Sequence, residues 1–348
     1  MIKIIDNIID FKDKEKDWEY LYNQDTNNTP FQSFMFNYIS WEYIQNNDVK
    51  LYIILYYNTR NILDAIFPLY INKKKEVRFI NDIHCDYCDG IYSNDSYKYD
   101  IIEELYKEIK NNNNIKFIYF DNLRGESPIS QSLKAIQRNA FIFSTTETSG
   151  IYCKKNDSPN LLFPHLNSRR TSRLNCSYKK CNNIRLKIFR KGNNLYPDKE
   201  VKLLNEIMIN KGLRSKEYLN PEFMQYIKNL YNNGLVEIPI IYEGDNAQAL
   251  CFIYKWKNIN HYMTWIILYS DTKYNMPLHF LYLKEMMNKE DFYLDFGRGG
   301  YDYKIQHFRP EIKNVYRLLY SKTLLGNLYI FFKINISHLR KTINTLRK

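Results

Sequence analysis

Two stretches of this chain follow one plan and lie half a chain length apart. The apolar run Phe292-Tyr293-Leu294 breaks into Asp295-Phe296-Gly297-Arg298-Gly299-Gly300-Tyr301-Asp302-Tyr303-Lys304. Earlier, Phe120-Asp121-Asn122-Leu123-Arg124-Gly125-Glu126-Ser127-Pro128 does the same. Asp121 and Asp295 are 174 positions apart, as are Arg124 and Arg298, in a chain of 348 residues. Each stretch reads as a buried strand that stops at a glycine-containing turn and feeds a helix, a common ligand site in α/β proteins. Two further matches keep the same order. Asp64-Ala65-Ile66-Phe67-Pro68-Leu69-Tyr70 answers Gln248-Ala249-Leu250-Cys251-Phe252-Ile253-Tyr254, and Tyr106-Lys107-Glu108 answers Leu283-Lys284-Glu285. The chain therefore reads as one unit written twice, at a length that suits two domains.

Periodicity fills in each copy. The first opens with a strand at Ile2–Ile5, helices around Trp18 and from Thr29-Pro30-Phe31 through Trp41, and a hairpin of Leu51–Tyr57 with Ile62–Ile71. A strand at Val77–Ile80, a loop from Ile83 to Tyr92, a helix over Ile101–Ile109 and the strand Ile115–Phe120 lead to the first turn. Phe141–Tyr152 closes the copy. The second repeats the order: strand Ile184–Phe189, helices Asp198–Asn210 and Pro221–Leu230, hairpin Val236–Tyr242 with Ala247–Trp256, strand His261–Leu268, helix Leu278–Met287 and strand Phe292–Leu294. The expected domains are 1–153, a linker with a basic helix at 154–183 (Arg169 to Arg173), 184–322, and a C-terminal basic amphipathic helix at 323–348.

A hydrophobic share of 45% excludes wholesale disorder. The net charge of +12 points to an anionic partner: a nucleotide cofactor, a phosphorylated or lipid-linked precursor, tRNA or a membrane surface. No apolar run reaches the ~20 residues of a spanning helix, and the first residues alternate Ile with charge rather than forming a secretion signal. The expectation is a cytoplasmic protein with reduced thiols, able to touch the inner face of an anionic membrane through its basic tail. No Gly-x-Ser-x-Gly, Walker loop or His-Glu-x-x-His occurs, which removes the usual hydrolase, NTPase and zinc-protease readings. His84-Cys85-Asp86-Tyr87-Cys88-Asp89 looks like half a zinc knuckle, but Cys176 and Cys181 are spaced wrongly for the other half, so no metal is expected.

The order strand, helices, hairpin, strand, helix, strand, helix resembles the GNAT acyltransferase fold. Its two-copy form, with a buried Ala in the hairpin and a closing Asp-Phe-Gly-Arg-Gly…Tyr-Lys run, is similar to acyltransferases found with cellulose and other polysaccharide biosynthesis genes. Those are distant relatives of the Fem-type aminoacyl transferases. The resemblance implies an α/β (α+β) fold of two tandem GNAT-like domains, each a mixed, mostly antiparallel sheet flanked by helices. It also implies acyl-CoA-dependent acyl transfer, chiefly N-acylation, to an amine or hydroxyl of a sugar, polysaccharide or cell-envelope precursor. No metal takes part, and nucleic acid enters only as tRNA in the Fem-like alternative. A catalytically silent binding protein of the same fold is the third reading.

On this resemblance the donor's pyrophosphate sits at the helix after Tyr269-Ser270-Asp271-Thr272-Lys273-Tyr274, with Tyr269 and Lys273 as its contacts. That loop has no glycine, unlike the family's. Arg298 and Lys304 offer a planar fork and a point charge for an anionic group; Arg298 pairing with Asp295 to fix the turn is the alternative. Asp295 and His261 are candidate bases, and Tyr303 is placed as the acid for a leaving thiolate. Structural roles compete for each: turn capping for Asp295, packing for His261 and Tyr303. Asp86, Tyr87 and Asp89 match the family's acceptor-side loop.

Overall fold

The computed structural model describes every residue except 95–97, 137–139, 158–183, 257–260, 300–303, 305–307, 309 and 333–348, with the backbone alone at 133–136. Its contacts divide the chain into two units, Met1–Thr146 with Asn314–Lys348, and Glu147–Lys313.

The first unit opens with β1 (Ile2–Ile5), α1 (Ile8–Asp13), α2 (Glu15–Gln24), a 3-10 turn at Pro30–Gln32 and α3 (Phe34–Ile44). Thr29 and Gln32 cap that turn reciprocally, and the Trp18 indole N–H donates to the Gln32 carbonyl at 2.8 Å. The expected hairpin forms, but as β2 (Lys50–Leu51) and β3 (Ile53–Tyr57) against β4 (Leu63–Phe67) and β5 (Leu69–Ile71). Pro68 has no N–H to give a partner strand, so both arms break beside it. Its carbonyl takes the Ile80 N–H instead, at 2.9 Å. One end of the hairpin joins β6 (Glu76–Phe79), and the other joins β1 and β7 (Ile91–Tyr92). Next come α4 (Lys98–Asn111), β8 (Phe117–Arg124), α5 (Pro128–Ile136) and β9 (Phe141–Cys153), which passes into the second unit at Glu147. Phe11, Trp18, Phe34 and Trp41 from the first three helices bury against Ile53, Leu55 and Ile66 of the hairpin.

The second unit contains β10 (Ile184–Phe189), α6 (Asp198–Asn210), α7 (Pro221–Asn232), β11 (Val236–Glu243), β12 (Asn246–Lys255), β13 (His261–Tyr269), α8 (Asn275–Met287) and β14 (Phe292–Arg298). Its sheet order is β10-β11-β12-β13-β14-β9, antiparallel except for β13 with β14. Alternation along β12 explains why almost every position there is apolar. Ala249, Cys251 and Ile253 pack with Tyr282, Leu283 and Met286 of α8. On the other parity, Phe252 and Tyr254 meet Trp265, which lies against Phe223 of α7. With helices on both faces, the strand cannot show a polar side.

One strand was not anticipated. β15 (Glu311–Ser321) enters the first unit at Asn314 and pairs antiparallel with β8, from Val315↔Arg124 to Ser321↔Phe117. In the second unit the strand beside β14 is the end of β9, from Phe292↔Cys153 to Arg298↔Thr148. Each unit thus takes its last strand from the other half of the sequence. The sequence also placed a strand end at Leu294 and at Phe120; both strands run on. β14 continues to Arg298 and β8 to Arg124, each through a register shift, at Asp295/Arg298 and opposite Tyr316/Leu318. A β-bulge absorbs one residue and leaves the strand intact. In β14 the left-handed residue is Gly297 (φ 67°), in β8 it is Asn122 (φ 59°). The two bulges are therefore 175 residues apart, one more than the aspartates that precede them.

Asp121, buried on β8, is paired with Arg317 of β15. Removing the cation leaves a buried carboxylate without its charge partner. Arg317→Ala is expected to cost about 3 kcal/mol in urea unfolding, and a loss below roughly 0.5 kcal/mol would show that this pair does not fasten the exchanged strand.

Candidate functional site

The second unit contains an opening between two parallel strands. β13 and β14 pair only at His261↔Tyr293, Tyr262↔Leu294 and Met263↔Asp295, yet β13 runs on to Tyr269 and β14 to Arg298. Beyond that point β14 keeps its partner β9, and β13 keeps β12. Among the described residues, the backbone groups of β13 that face β14 there have no strand to bond to. Ser270 donates its N–H to Gln248 on the β12 side, at 2.7 Å. Alternation then turns Ile267 and Tyr269 towards the opening.

Arg214 occupies that edge. Its Nη2 donates to the Ile267 carbonyl at 2.8 Å, and its guanidinium lies 4.4 Å from the Tyr218 ring centroid. The side chain gets there through a helix C-terminus of Schellman form. Gly212 (φ 67°) follows α6, and Leu213 N–H returns to the Met208 carbonyl at 2.9 Å. Arg214 Nε is buried with no hydrogen-bond partner, and no carboxylate pairs with the guanidinium among the described residues. Neighbouring Lys211 donates to the Ser270 carbonyl at 2.5 Å. Sequence reasoning missed both; the Lys-Gly-Leu-Arg run directly after a periodic helix is the signal that could have found them.

At the start of the next helix the expected anion site is already partly filled. A 3-10 turn, Thr272–Tyr274, precedes α8, and the Asp271 carboxylate accepts the Lys273 N–H at 2.9 Å. That hydrogen bond, helped by Lys211 and Lys273, holds the Asp271 carboxyl below its ordinary range. Lys273 extends its ammonium over the Tyr274 ring, 4.8 Å from the centroid. Tyr269 is half-buried at the end of β13. On α8, His279 is buried, with Nδ1 3.0 Å from the Asn275 carbonyl. A carbonyl only accepts, so Nδ1 carries the hydrogen and Nε2 is the basic nitrogen. Its ring lies 6.4 Å from Phe308, which lies 4.6 Å from Phe296 on β14.

The bulge in β14 forms the other wall. Asp295 is buried, and its Oδ1 accepts the Gly297 N–H at 2.7 Å. Lys304 is buried too, its ammonium donating to the carbonyls of Phe296 (2.6 Å), Gly297 (3.3 Å) and Arg298 (3.2 Å). The lysine thus gathers three carbonyls that the bulge turns inward. Arg298 is half-buried at the strand end. His261, at the start of β13, lies with its ring 3.4 Å from that of Trp256 and edge-on to Tyr293 at 4.6 Å. His261 is thus at the paired end of β13, away from the opening. Tyr303 lies outside the described residues.

In the first unit the equivalent opening is closed by its own chain. β6 and β8 pair in parallel at Glu76↔Phe117 and Val77↔Ile118, after which β6 ends at Phe79. The loop that follows folds onto β8. Asn122 Nδ2 donates to the carbonyls of Asp82 and Cys85 at 2.8 and 2.9 Å, and its carbonyl accepts the Cys88 N–H at 2.9 Å. Asp86, Tyr87 and Asp89 sit in this loop, all buried. The Tyr87 carbonyl accepts from Gln32 Nε2 at 3.1 Å. Asp89 accepts the Gly90 N–H and the Tyr92 hydroxyl, and burial pushes its carboxyl up to about 6.

No sequence-family profile matches the chain, and no curated protein does. Solved structures do. FemX aligns with a TM-score of 0.58 at 11% identity, covering 91% of this chain and 98% of that one. The C-terminal DUF2156 domain of a protein assigned as a lysylphosphatidylglycerol synthetase, from Agrobacterium fabrum, gives 0.55 at 9% identity, covering 92% and 95%. A tandem GNAT protein from the clavulanic acid biosynthesis pathway gives 0.51 at 6% identity, covering 93% and 99%. The chain has the tandem GNAT fold. At these identities the likeness is one of architecture, and the residues within it must be argued from their own geometry.

Two consequences are measurable. Lys304→Met leaves three inward carbonyls without their donor and should lower stability by roughly 3 kcal/mol in chemical denaturation; an unchanged midpoint would show that the bulge does not need it. Asp89 binds its proton more tightly folded than unfolded, so stability falls as pH rises from about 4 to about 6, by roughly 2–3 kcal/mol. Asp89→Asn should flatten that slope and leave the protein more stable at pH 7.5; an identical slope in the variant would place the titration elsewhere.

Proposed function

We propose that the chain is an acyltransferase whose donor enters the opening between β13 and β14 of the second unit. The donor is an acyl-CoA, and the acceptor is an amine or hydroxyl of a sugar, polysaccharide or other envelope precursor, as in the polysaccharide-associated acyltransferases that the sequence resembles. The supporting observation is the strand divergence itself. β13 offers an edge without a strand partner among the described residues along one side of a slot, where an extended arm with amide groups can bond as an added strand.

Lys211, Lys273 and Arg214 supply positive charge along β13 and the start of α8. The acceptor nitrogen or oxygen attacks the thioester carbonyl, the carbon–sulfur bond breaks, and the thiolate leaves with a proton. Asp295 and His279 are the bases to test for the acceptor's proton, with His261 the candidate that its place at the paired end of β13 disfavours, and Tyr303 the acid for the sulfur. Amides of the slot would stabilise the tetrahedral oxyanion. Asp86, Tyr87 and Asp89, matched to the family's acceptor-side loop, are buried within the first unit and in this reading set the shape of that loop rather than touch the acceptor.

One observation favours a second donor. The Asp271 carboxylate already takes the Lys273 N–H, and the loop has no glycine to bring its backbone near a pyrophosphate. An aminoacyl-tRNA, as in the Fem-like alternative, does not need a pyrophosphate cradle at that point.

Titration calorimetry with acetyl-CoA and longer acyl-CoAs separates the two. The first reading expects micromolar binding that Arg214→Ala weakens about tenfold. Absence of binding by every thioester, together with salt-dependent binding of aminoacyl-tRNA, would replace the donor; absence of both would leave a binding protein without transferase activity.

A further inference from the structure

The helix that follows β15 is inside out. Residues 324–332 are helical, and six of their nine side chains are exposed and apolar. Leu324 is 75% exposed, Leu325 79%, Leu328 45%, Tyr329 61%, Phe331 49% and Phe332 60%. At 100° per residue these six fall on one arc of about 160°. The three remaining residues, Gly326, Asn327 and Ile330, complete the circle and face the protein, and Phe331 at the edge of the apolar arc lies with its ring 6.4 Å from Phe141. Ile330 is buried. Asn327 Oδ1 accepts the Ser321 N–H and its Nδ2 donates to the Ser321 carbonyl, both at 2.9 Å. A Cβ at position 326 would stand 2.0 Å from Ser321 Oγ, so glycine there permits the close approach. The helix is thus anchored by its small and polar side and presents its apolar side to solvent.

Leu324, Leu325, Leu328 and Phe332 remain exposed, and a continuous apolar face in water marks a surface meant to be covered. The charge around it narrows the choice of cover. The chain has no Asp or Glu after Glu311, whereas Lys313, Arg317, Lys322, Lys333, Arg340, Lys341, Arg347 and Lys348 all fall beyond it. Residues 324–332 carry no charge themselves, but Lys322 precedes them and Lys333 follows, and an apolar face of Leu, Phe and Tyr flanked by cations suits a helix that lies in a lipid interface. Phosphates of anionic lipids supply the countercharge. No helix among the described residues is long and apolar enough to cross a membrane, so the contact is lateral.

We propose that residues 324–332 form a docking helix for an anionic lipid bilayer, with Leu324, Leu325, Leu328, Tyr329, Phe331 and Phe332 entering the headgroup region. The proposal is independent of which acyl donor the second unit takes.

Co-sedimentation of the full chain with phosphatidylcholine vesicles containing about one-third phosphatidylglycerol tests it. The expected result is partition at least about tenfold stronger than onto pure phosphatidylcholine, declining with added salt. The double substitution Leu325→Glu with Phe332→Glu should weaken partition about 100-fold, since two apolar side chains no longer enter the lipid. Leu195→Glu, at a 90% exposed residue of the second unit, should leave it unchanged. No partition onto anionic vesicles would overturn the proposal, and so would equal loss in the Leu195 variant. Ultracentrifugation supplies the remaining arm: self-association that the double substitution abolishes, without lipid binding, would make the face a contact between copies instead.

Discussion

Where two parallel strands diverge, backbone N–H and C=O groups lose their partners, and a folded protein has to satisfy them some other way. That requirement organises both units of this chain. In the first, the loop after β6 folds onto β8, and Asn122 bonds it through both side chain and backbone. In the second, no such loop is found among the described residues. The edge of β13 is met by a side chain, Arg214, which satisfies one carbonyl while its buried Nε has no hydrogen-bond partner among the described residues. The corresponding opening is a filled core element in the first unit and a candidate binding slot in the second.

The same economy appears at the bulges. A bulge turns carbonyls inward at the end of each central strand. The second unit answers with the buried Lys304 ammonium on three of them and with Asp295 on the Gly297 N–H. The first uses Asn122 in the left-handed position and an ion pair between Asp121 and Arg317. Residues that stand in corresponding places therefore hold the backbone with different chemistry. A cation that reads as a ligand contact in the sequence can be occupied by its own chain: Lys304 illustrates this, and Asp271, capping the very N–H expected to meet phosphate, is its acidic counterpart.

Much of the architecture was legible. The duplicated order of elements, the hairpins with a buried alanine, and the helices on both sides of β12 follow from apolar period and turn residues. What escaped was what period cannot encode. β15 was missed because Glu311-Ile-Lys-Asn mixes charge into its start, and its strand character comes from pairing with β8, nearly 200 residues away. The exchange of last strands between halves is a tertiary choice of the same kind. The continuation of β8 and β14 past Asp121 and Asp295 was misread as a turn, because glycine and asparagine signal both turns and bulges. Among the candidate residues, Asp295, Arg298 and Lys304 stand together at the β14 bulge, and Asp86, Tyr87 and Asp89 stand together in the buried loop on β8. Arg214 carried only the faint signal of a Lys-Gly-Leu-Arg run after a periodic helix, and His279 carried none, since it matters only for what lies beside it.

The central claim is that the slot between β13 and β14 is open to a donor while its counterpart between β6 and β8 is shut. Hydrogen–deuterium exchange with and without a non-hydrolysable acyl-CoA analogue measures this directly. The account predicts that the analogue slows exchange at the amides of Ile267, Tyr269 and Arg298, and leaves Phe79 to Gly90 unaffected. Protection confined to the 79–90 loop, or protection in neither place with the analogue bound, would contradict it.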